Sequence, residues 1–288
     1  IILEIGVRFW LHASEESTDT LASLSQKQSS ITEKRQITGD NISLGRLIQA
    51  SKDVGRVYEF MPNIYAKYLG QDFETNSFGM RERAIDLEKP KNTKRIVGIG
   101  DSVMFAWGVA QEKSYLRILE DKLKLIDPTI DYQTINTGVP GYNTAMEVST
   151  YQTLARHFSP DLVILHFVDN DLGVPHFMSL PKDYFDMSKS FAWEFIQKLL
   201  VQFNTSNKKN YNLVGVEFLS SEQEDKNLVL EKYRYMLGHG GFNTAMSELS
   251  TMVCEDKSPV LILTGRLRNN FKSLIENAAK KYGFQIVE

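Results

Sequence analysis

The residues best suited to chemistry are Gly100-Asp101-Ser102, at the centre of the stretch RIVGIGDSVMFAWG from Arg95 to Gly108. The run Ile96-Val97-Gly98-Ile99 is short, apolar and rich in β-branched residues, which is the composition of a buried parallel strand. It stops at Gly-Asp-Ser, after which helix-compatible sequence resumes. The pattern predicts a strand, a turn and a helix, with the hydroxyl of Ser102 at the tip. In an open parallel sheet the carboxyl ends of the strands face a crevice, so a side chain at such a turn meets ligand instead of core. Asp101 supports this turn. Asp and Ser are also favoured N-caps, and the local sequence does not separate a nucleophilic serine from a structural cap.

Two more loops carry matching chemistry. Gly138-Val139-Pro140-Gly141-Tyr142-Asn143 follows a second predicted strand, and Val168-Asp169-Asn170-Asp171 follows a third. If the strands are parallel, all three loops leave one edge of the sheet and converge. A serine attacking an ester needs donors aimed at the developing oxyanion, and backbone N–H groups with an Asn amide can supply them. Gly141 suits that role because a residue without a Cβ lets its backbone approach a ligand closely.

A serine hydroxyl is a weak nucleophile at neutral pH without a base. Among the histidines, His176 lies just beyond the third strand and can reach the crevice. His166 sits inside an apolar strand and reads as a satisfied core histidine. His157 reads as a helix-end residue, where a cation is mildly favourable. His239 in Gly238-His239-Gly240-Gly241 does not follow a strand, and His12 is uninformative. Other chemistries fit less well. Gly98-Ile99-Gly100-Asp101-Ser102-Val103 has Val103 where a dinucleotide fingerprint needs its third glycine. There is no P-loop and no histidine and carboxylate cluster at metal spacing, so neither cofactor nor metal is expected. Asp169 and Asp171 flank Asn170 and could bind a cation, but read better as turn-stabilising or loop-ordering residues.

The elements that must position these loops alternate. Arg95 to Gly100 is the first strand, Ser114 to Ile126 has apolar residues at helical spacing, and Tyr132 to Asn136 is the second strand. A helix over Thr144 to Phe158 and a strand over Asp161 to Phe167 follow. Pro259 to Thr264, Asn269 to Tyr282 and Phe284 to Val287 read as strand, helix and fifth strand. This βαβ order predicts an α/β fold, a parallel sheet covered by helices on both faces.

The 288 residues, 42% hydrophobic and 24% charged, suffice for one substantial core. A net charge of -3, with no basic block interleaved with aromatics, argues against a nucleic-acid partner. The single cysteine, Cys254, excludes an internal disulfide and reads as a small buried hydrophobe. Ile1 to Trp10 is apolar nearly all round and reads as the end of a transmembrane or signal-anchor helix (1–12), with Trp10 at the membrane interface. Residues 13–57, polar and poor in aromatics, are expected to be a linker or helical stalk. Residues 58–288 form the expected domain, with a β-rich lead-in at 58–94. A helical insertion at 172–258 contains the apolar run Phe191 to Phe203, as a partner surface, a lid or a covering helix.

Taken together, Gly100-Asp101-Ser102, Gly141 in its loop and Asn170-Asp171 resemble the three sequence blocks of the SGNH or GDSL hydrolase superfamily. The resemblance extends over roughly Asn76 to Glu288, and the lead-in Asn76-Ser77-Phe78-Gly79-Met80-Arg81 is similar to the entry of membrane-anchored members. It implies a three-layer flavodoxin-like sandwich with a five-stranded parallel sheet. Ser102 would be the nucleophile, and the Ser102 N–H, the Gly141 N–H and the Asn170 side chain would form the oxyanion hole. The chain departs from the pattern at Val168, where many members have Gly, and it contains no Asp-x-x-His block, which would supply the catalytic base. That block is expected beyond Glu288. The resemblance implies a membrane-anchored, extracytoplasmic ester hydrolase or O-acyl transferase acting on an acylated glycan or lipid. The alternative is a non-catalytic subunit of this fold, binding carbohydrate or protein partners of a membrane complex through the insertion.

Overall fold

In the computed structural model the described residues are 34–39, 42–53, 55–179, 190, 192, 216–218, 231–265 and 267–288. The chain enters through short strands: β1 (Arg35–Ile37), β2 (Ile48–Ala50), β3 (Tyr58–Phe60), β4 (Ile64–Tyr68) and β5 (Gln71–Glu74). β4 pairs with β1 in parallel and with β5 antiparallel, while β2 and β3 form an antiparallel pair. Alternation along β4 buries Ile64, Ala66 and Tyr68 and turns Lys67 outward. These residues share a core with Leu47, Ile48, Tyr58, Phe60 and Phe73, each at most 1% exposed.

The domain boundary expected at Tyr58 is therefore corrected. From Arg35 onward the polar stretch already contributes strands to this unit, and Leu47 and Ile48 lie in its core. Three-residue strands are too short to show a period against a polar background. The anchor at 1–12 and the first part of the linker lie outside the described residues. Among the described residues no helix is long and apolar enough to cross a membrane.

The main sheet is built from β6 (Thr93–Gly100), β7 (Asp131–Asn136), β8 (Leu162–Phe167), β11 (Val260–Thr264) and β12 (Gln285–Val287). A separate antiparallel pair, β9 (Phe177–Ser179) with β10 (Val216–Phe218), lies between β8 and β11 in sequence. The sheet runs β7-β6-β8-β11-β12 and every pairing is parallel. In chain order that is 2-1-3-4-5, the flavodoxin-like arrangement. Helices α1 (Ser102–Phe105), α2 (Tyr115–Ile126), α3 (Thr144–Thr153), α4 (Gly238–Asp256) and α5 (Asn269–Tyr282) connect or cover it.

The two-residue period of the strands divides their side chains between two cores. Val97, Ile99, Val163, Leu165 and Ile262 pack with Val148 and Tyr151 of α3, Leu249 of α4 and Ile275 of α5. Ile96 and Ile164 face the other way, onto Met104 and Leu116. The result is the three-layer sandwich that the alternation and the resemblance implied. Three local expectations change. The helix from Thr144 stops at Thr153 and continues as a 3-10 turn over Ala155–Phe158, closed by Ser159 at φ 52°. Cys254 is exposed on α4. Gly238–Asp256, placed in an insertion, is an integral layer of the sandwich packed on α3. The apolar run Phe191 to Phe203 falls almost wholly outside the described residues, and so does its use as a partner surface.

Candidate active site

The ends of β6 and β8 are tied together by one carboxylate. Asp101 follows β6, is 1% exposed and caps α1, its Oδ1 accepting from the Val103 N–H at 2.8 Å. Its Oδ2 accepts from Ser102 Oγ at 3.0 Å and from Asn170 Nδ2 at 3.3 Å. Asp101 is thus the cap, which leaves the Ser102 hydroxyl as its own feature. The helix it caps is a single turn. Ala106 at φ 64° ends α1, and the Trp107 N–H returns to the Ser102 carbonyl at 3.1 Å. Gly98 permits this tight return, since a Cβ there would lie 2.5 Å from Met104 Sδ. β6 and β8 are adjacent strands joined across the reversal in strand order, the position at which open α/β sheets bind ligands.

The loop after β7 is held to the same place. Asn136 donates from Nδ2 to the Met104 carbonyl at 2.7 Å and accepts the Gly138 N–H at 2.9 Å, and the Val139 N–H reaches the Gly100 carbonyl at 3.2 Å. Gly141 then turns at φ 80°, and its carbonyl accepts from the His176 N–H at 3.0 Å. Among the described residues nothing accepts from the Gly141 N–H. Asn143 caps α3 and donates to the Gly173 carbonyl at 3.0 Å, and the Thr144 N–H donates to the Asp171 carbonyl at 3.0 Å. The second and third loops are therefore laced together. Ser102 and Gly141 are half-buried and Asn170 is exposed, so all three are open to solvent at the carboxyl edge of the sheet.

The third loop orders itself. Asp171 Oδ2 accepts the Val168 N–H at 2.9 Å, and the Asp171 N–H donates to the Val168 carbonyl at 3.1 Å. Asp169 pairs with Arg268 at 2.8 Å. Both aspartates act as the loop-ordering residues their positions suggested. Behind the loop sits an acidic interior. Asp171 and Glu147 are each 1% exposed, and among the described residues Asp171 Oδ1 and both Glu147 oxygens have no hydrogen-bond partner. Burial pushes both carboxyls well above the usual range. Glu147 and Asp101 raise Asp171 further, and Asp101 also raises Glu147. This favours their neutral forms beneath the Asp101 carboxylate.

None of the described histidines hydrogen-bonds to the Ser102 hydroxyl. His166 is buried and paired through Nδ1 to Tyr115 OH at 3.0 Å, the satisfied core histidine the strand pattern indicated. His157 lies in the last turn of the 3-10 helix Ala155–Phe158, the helix-end position expected, and burial, followed by the Arg156 charge, lowers its pKa. His239 is exposed on the first turn of α4. His176 stands over Gly141, where a Cβ would lie 2.2 Å from its own Cβ, and its ring meets Phe177 edge-on at 4.7 Å. Burial lowers its pKa. Among the described residues no group of three His, Cys, Asp or Glu side chains is arranged to hold a metal.

Two residues of the lead-in serve this site in ways the sequence reading did not assign. Arg81 is 6% exposed and donates to the carbonyls of Phe105 at 3.0 Å, Ala106 at 3.2 Å and Val109 at 2.6 Å, capping the far end of α1. Its guanidinium also lies over the Phe105 ring, 4.7 Å from the centroid. Tyr58, on β3, donates to the Pro140 carbonyl at 2.8 Å. The block Asn76 to Arg81 was visible as a motif; its function as a clamp was not, because its target lies 24 residues away.

No family model and no curated protein matches the chain. Solved structures do show likeness. AlinE4, described as a SGNH-hydrolase family esterase, is 18% identical over 69% of this chain and 77% of its own, with a TM-score of 0.40. An acetyl xylan esterase, AlAXEase, is 14% identical over 67% and 75%, with a TM-score of 0.39. The psychrotrophic esterase EstA from Pseudoalteromonas sp. is 10% identical over 67% and 76%, also with a TM-score of 0.39. Likeness at this level carries no argument about activity, which has to come from the side chains themselves.

Proposed function

We propose that the chain is a serine ester hydrolase or O-acyl transferase of the SGNH type, acting on an acylated glycan or lipid outside the cytoplasm. One observation carries this reading: the Ser102 hydroxyl and the Asn170 amide converge on a single Asp101 oxygen at the strand-order reversal, on the sheet edge that also carries a glycine turn whose N–H has no acceptor among the described residues. Ser102 Oγ would attack the acyl carbonyl and lose its proton to a base. The carbonyl oxygen, becoming anionic, would accept from the Ser102 N–H, the Gly141 N–H and Asn170 Nδ2. Ser102 is the first residue of α1, so its N–H has no partner within the helix. Collapse expels the alcohol, which takes up the proton, and water or a sugar hydroxyl then releases the acyl group from Ser102.

The base would come from an Asp-x-x-His block after the fifth strand. Its route is consistent with the sheet: β12 runs parallel to the others, so its carboxyl end opens on the edge that carries Ser102. Val103 and Trp107, 44% and 46% exposed beside the serine, give the opening an apolar margin suited to an acyl group or a sugar face. Anchoring outside the cytoplasm rests on the apolar run Ile1 to Trp10. The absence of any described histidine on the Ser102 hydroxyl is the observation that would favour a non-catalytic carbohydrate-binding or structural subunit instead. Ser102→Ala in the full-length protein decides between them. Turnover of a short-chain aryl ester is expected to vanish while the fold stays intact, and unchanged turnover would overturn the enzymatic reading.

A further inference from the structure

We infer that Tyr58 is a positioning residue that aims the Gly141 N–H into the oxyanion hollow; the inference rests on the function proposed above. The Tyr58 hydroxyl donates to the Pro140 carbonyl at 2.8 Å, a buried bond spanning 82 residues. Pro140 C=O and Gly141 N–H belong to one peptide unit. That unit is trans, like all others among the described residues, so its carbonyl and its N–H point in opposite directions. A hydroxyl that holds the carbonyl on the buried side therefore directs the N–H away from Tyr58 and the lead-in core, the orientation an oxyanion donor in this loop needs.

The other end of the lever is fixed as well. Tyr58 is 0% exposed, and its ring meets Tyr142 and Phe177 edge-on, each at 5.1 Å. The Tyr142 hydroxyl donates back to the Tyr58 carbonyl. Gly141 sits at φ 80°, and its own carbonyl, which belongs to the next peptide unit, is held by the His176 N–H at 3.0 Å, so the chain is fixed just after the Pro140–Gly141 peptide as well. Burial raises the Tyr58 pKa well above its ordinary value and keeps the hydroxyl a donor. A donor fixed before the substrate arrives needs no reorganisation in the transition state, which is where such groups act.

Tyr58→Phe keeps the ring and removes only the hydroxyl. In the full-length protein kcat is expected to fall about tenfold at unchanged KM, less than the roughly hundredfold loss of an oxyanion donor removed outright. The amide proton and nitrogen shifts of Gly141, read by NMR, are expected to move, because the lost hydrogen bond was to the carbonyl of the same peptide unit. Tyr151→Phe is the matched control. It removes another buried hydroxyl, bonded to Asp256 at 2.7 Å on the far side of α3, and is expected to lower the melting temperature with kcat unchanged. A kcat for Tyr58→Phe within twofold of wild type, or an equal fall in Tyr151→Phe, overturns the inference. Should Tyr58→Phe not fold, fluorotyrosine in place of Tyr58 alters the donor at constant shape; kcat that tracks donor strength supports the assignment, and constant kcat overturns it. The two readings fail separately: Ser102→Ala with retained turnover removes the enzymatic function, whereas unchanged Gly141 amide shifts in Tyr58→Phe remove the positioning.

Discussion

Replacing Arg81 with Met should loosen the serine turn from behind. The Met chain fills the space of the arginine stem but offers no donors, so the carbonyls of Phe105 and Val109 lose their partner and that of Ala106 keeps only the Val109 N–H. Hydrogen bonds from a charged donor are worth about 1.5–3 kcal/mol each, so three represent roughly 5–9 kcal/mol. Against this stands the cost of burying the guanidinium, visible in an Arg81 pKa lowered by burial, and a buried Nε with no partner. The bond to Phe105 is buried, and leaving that carbonyl unsatisfied costs about 1–3 kcal/mol; the part-buried Val109 carbonyl and the Ala106 carbonyl, which keeps the Val109 N–H, add less. The net expectation is a loss of about 2–3 kcal/mol. For a domain of this size each kcal/mol lowers the melting temperature by about 2–4 °C, which gives a fall of about 4–12 °C in calorimetry at neutral pH. Aryl ester turnover should fall with it, even at temperatures where the variant is folded, because α1 carries Ser102. A melting temperature within about 2 °C of wild type would mean that water replaces the guanidinium at no cost, and the clamp would not exist.

Glu82 gives the protein a pH dependence of known sign. Burial pushes its pKa up to about 7 from an ordinary 4.5, so the folded state holds a proton that the unfolded chain has released. Stability is therefore full below about pH 4.5 and declines as pH rises toward 7, by about 3 kcal/mol in all. Urea titrations at pH 5 and pH 8 should show this decline in the wild type and a smaller one in Glu82→Gln; equal slopes would remove Glu82 as its source. Asn170→Ala should lower kcat by about a hundredfold or more at constant KM. Because Asn170 is exposed, its melting temperature should stay within about 2 °C of wild type. A fall in kcat below threefold would take the Asn170 amide out of the oxyanion hole.

Strands β6, β8 and β11 of the main sheet were legible because each contains a short apolar run, and the glycine or Asp and Asn residues at or just beyond its end mark the carboxyl edge. Ser102, Gly141 and Asn170 could be picked out for the same reason: in a parallel sheet, the residue after a strand is by topology a residue at the ligand edge. The helix over Asn269–Tyr282 matched in both bounds, while the helix from Thr144 ended five residues early, since nothing local distinguishes an α turn from a 3-10 turn at Ala155.

What the sequence by itself determined is therefore the order of strands and helices and the chemical types at the strand ends, both of which depend on periods of two and 3.6 residues within one segment. Only the tertiary structure decided that Arg81 and Tyr58 bond to the loops that carry Ser102 and Gly141, that the strands from Arg35 to Ala50 pack with the lead-in, and that Asp171 and Glu147 are buried. Each of these depends on partners far apart along the chain. A tyrosine hydroxyl 82 residues from the carbonyl it holds leaves no periodic trace, because side-chain contacts across a folded core are fixed by packing and not by spacing.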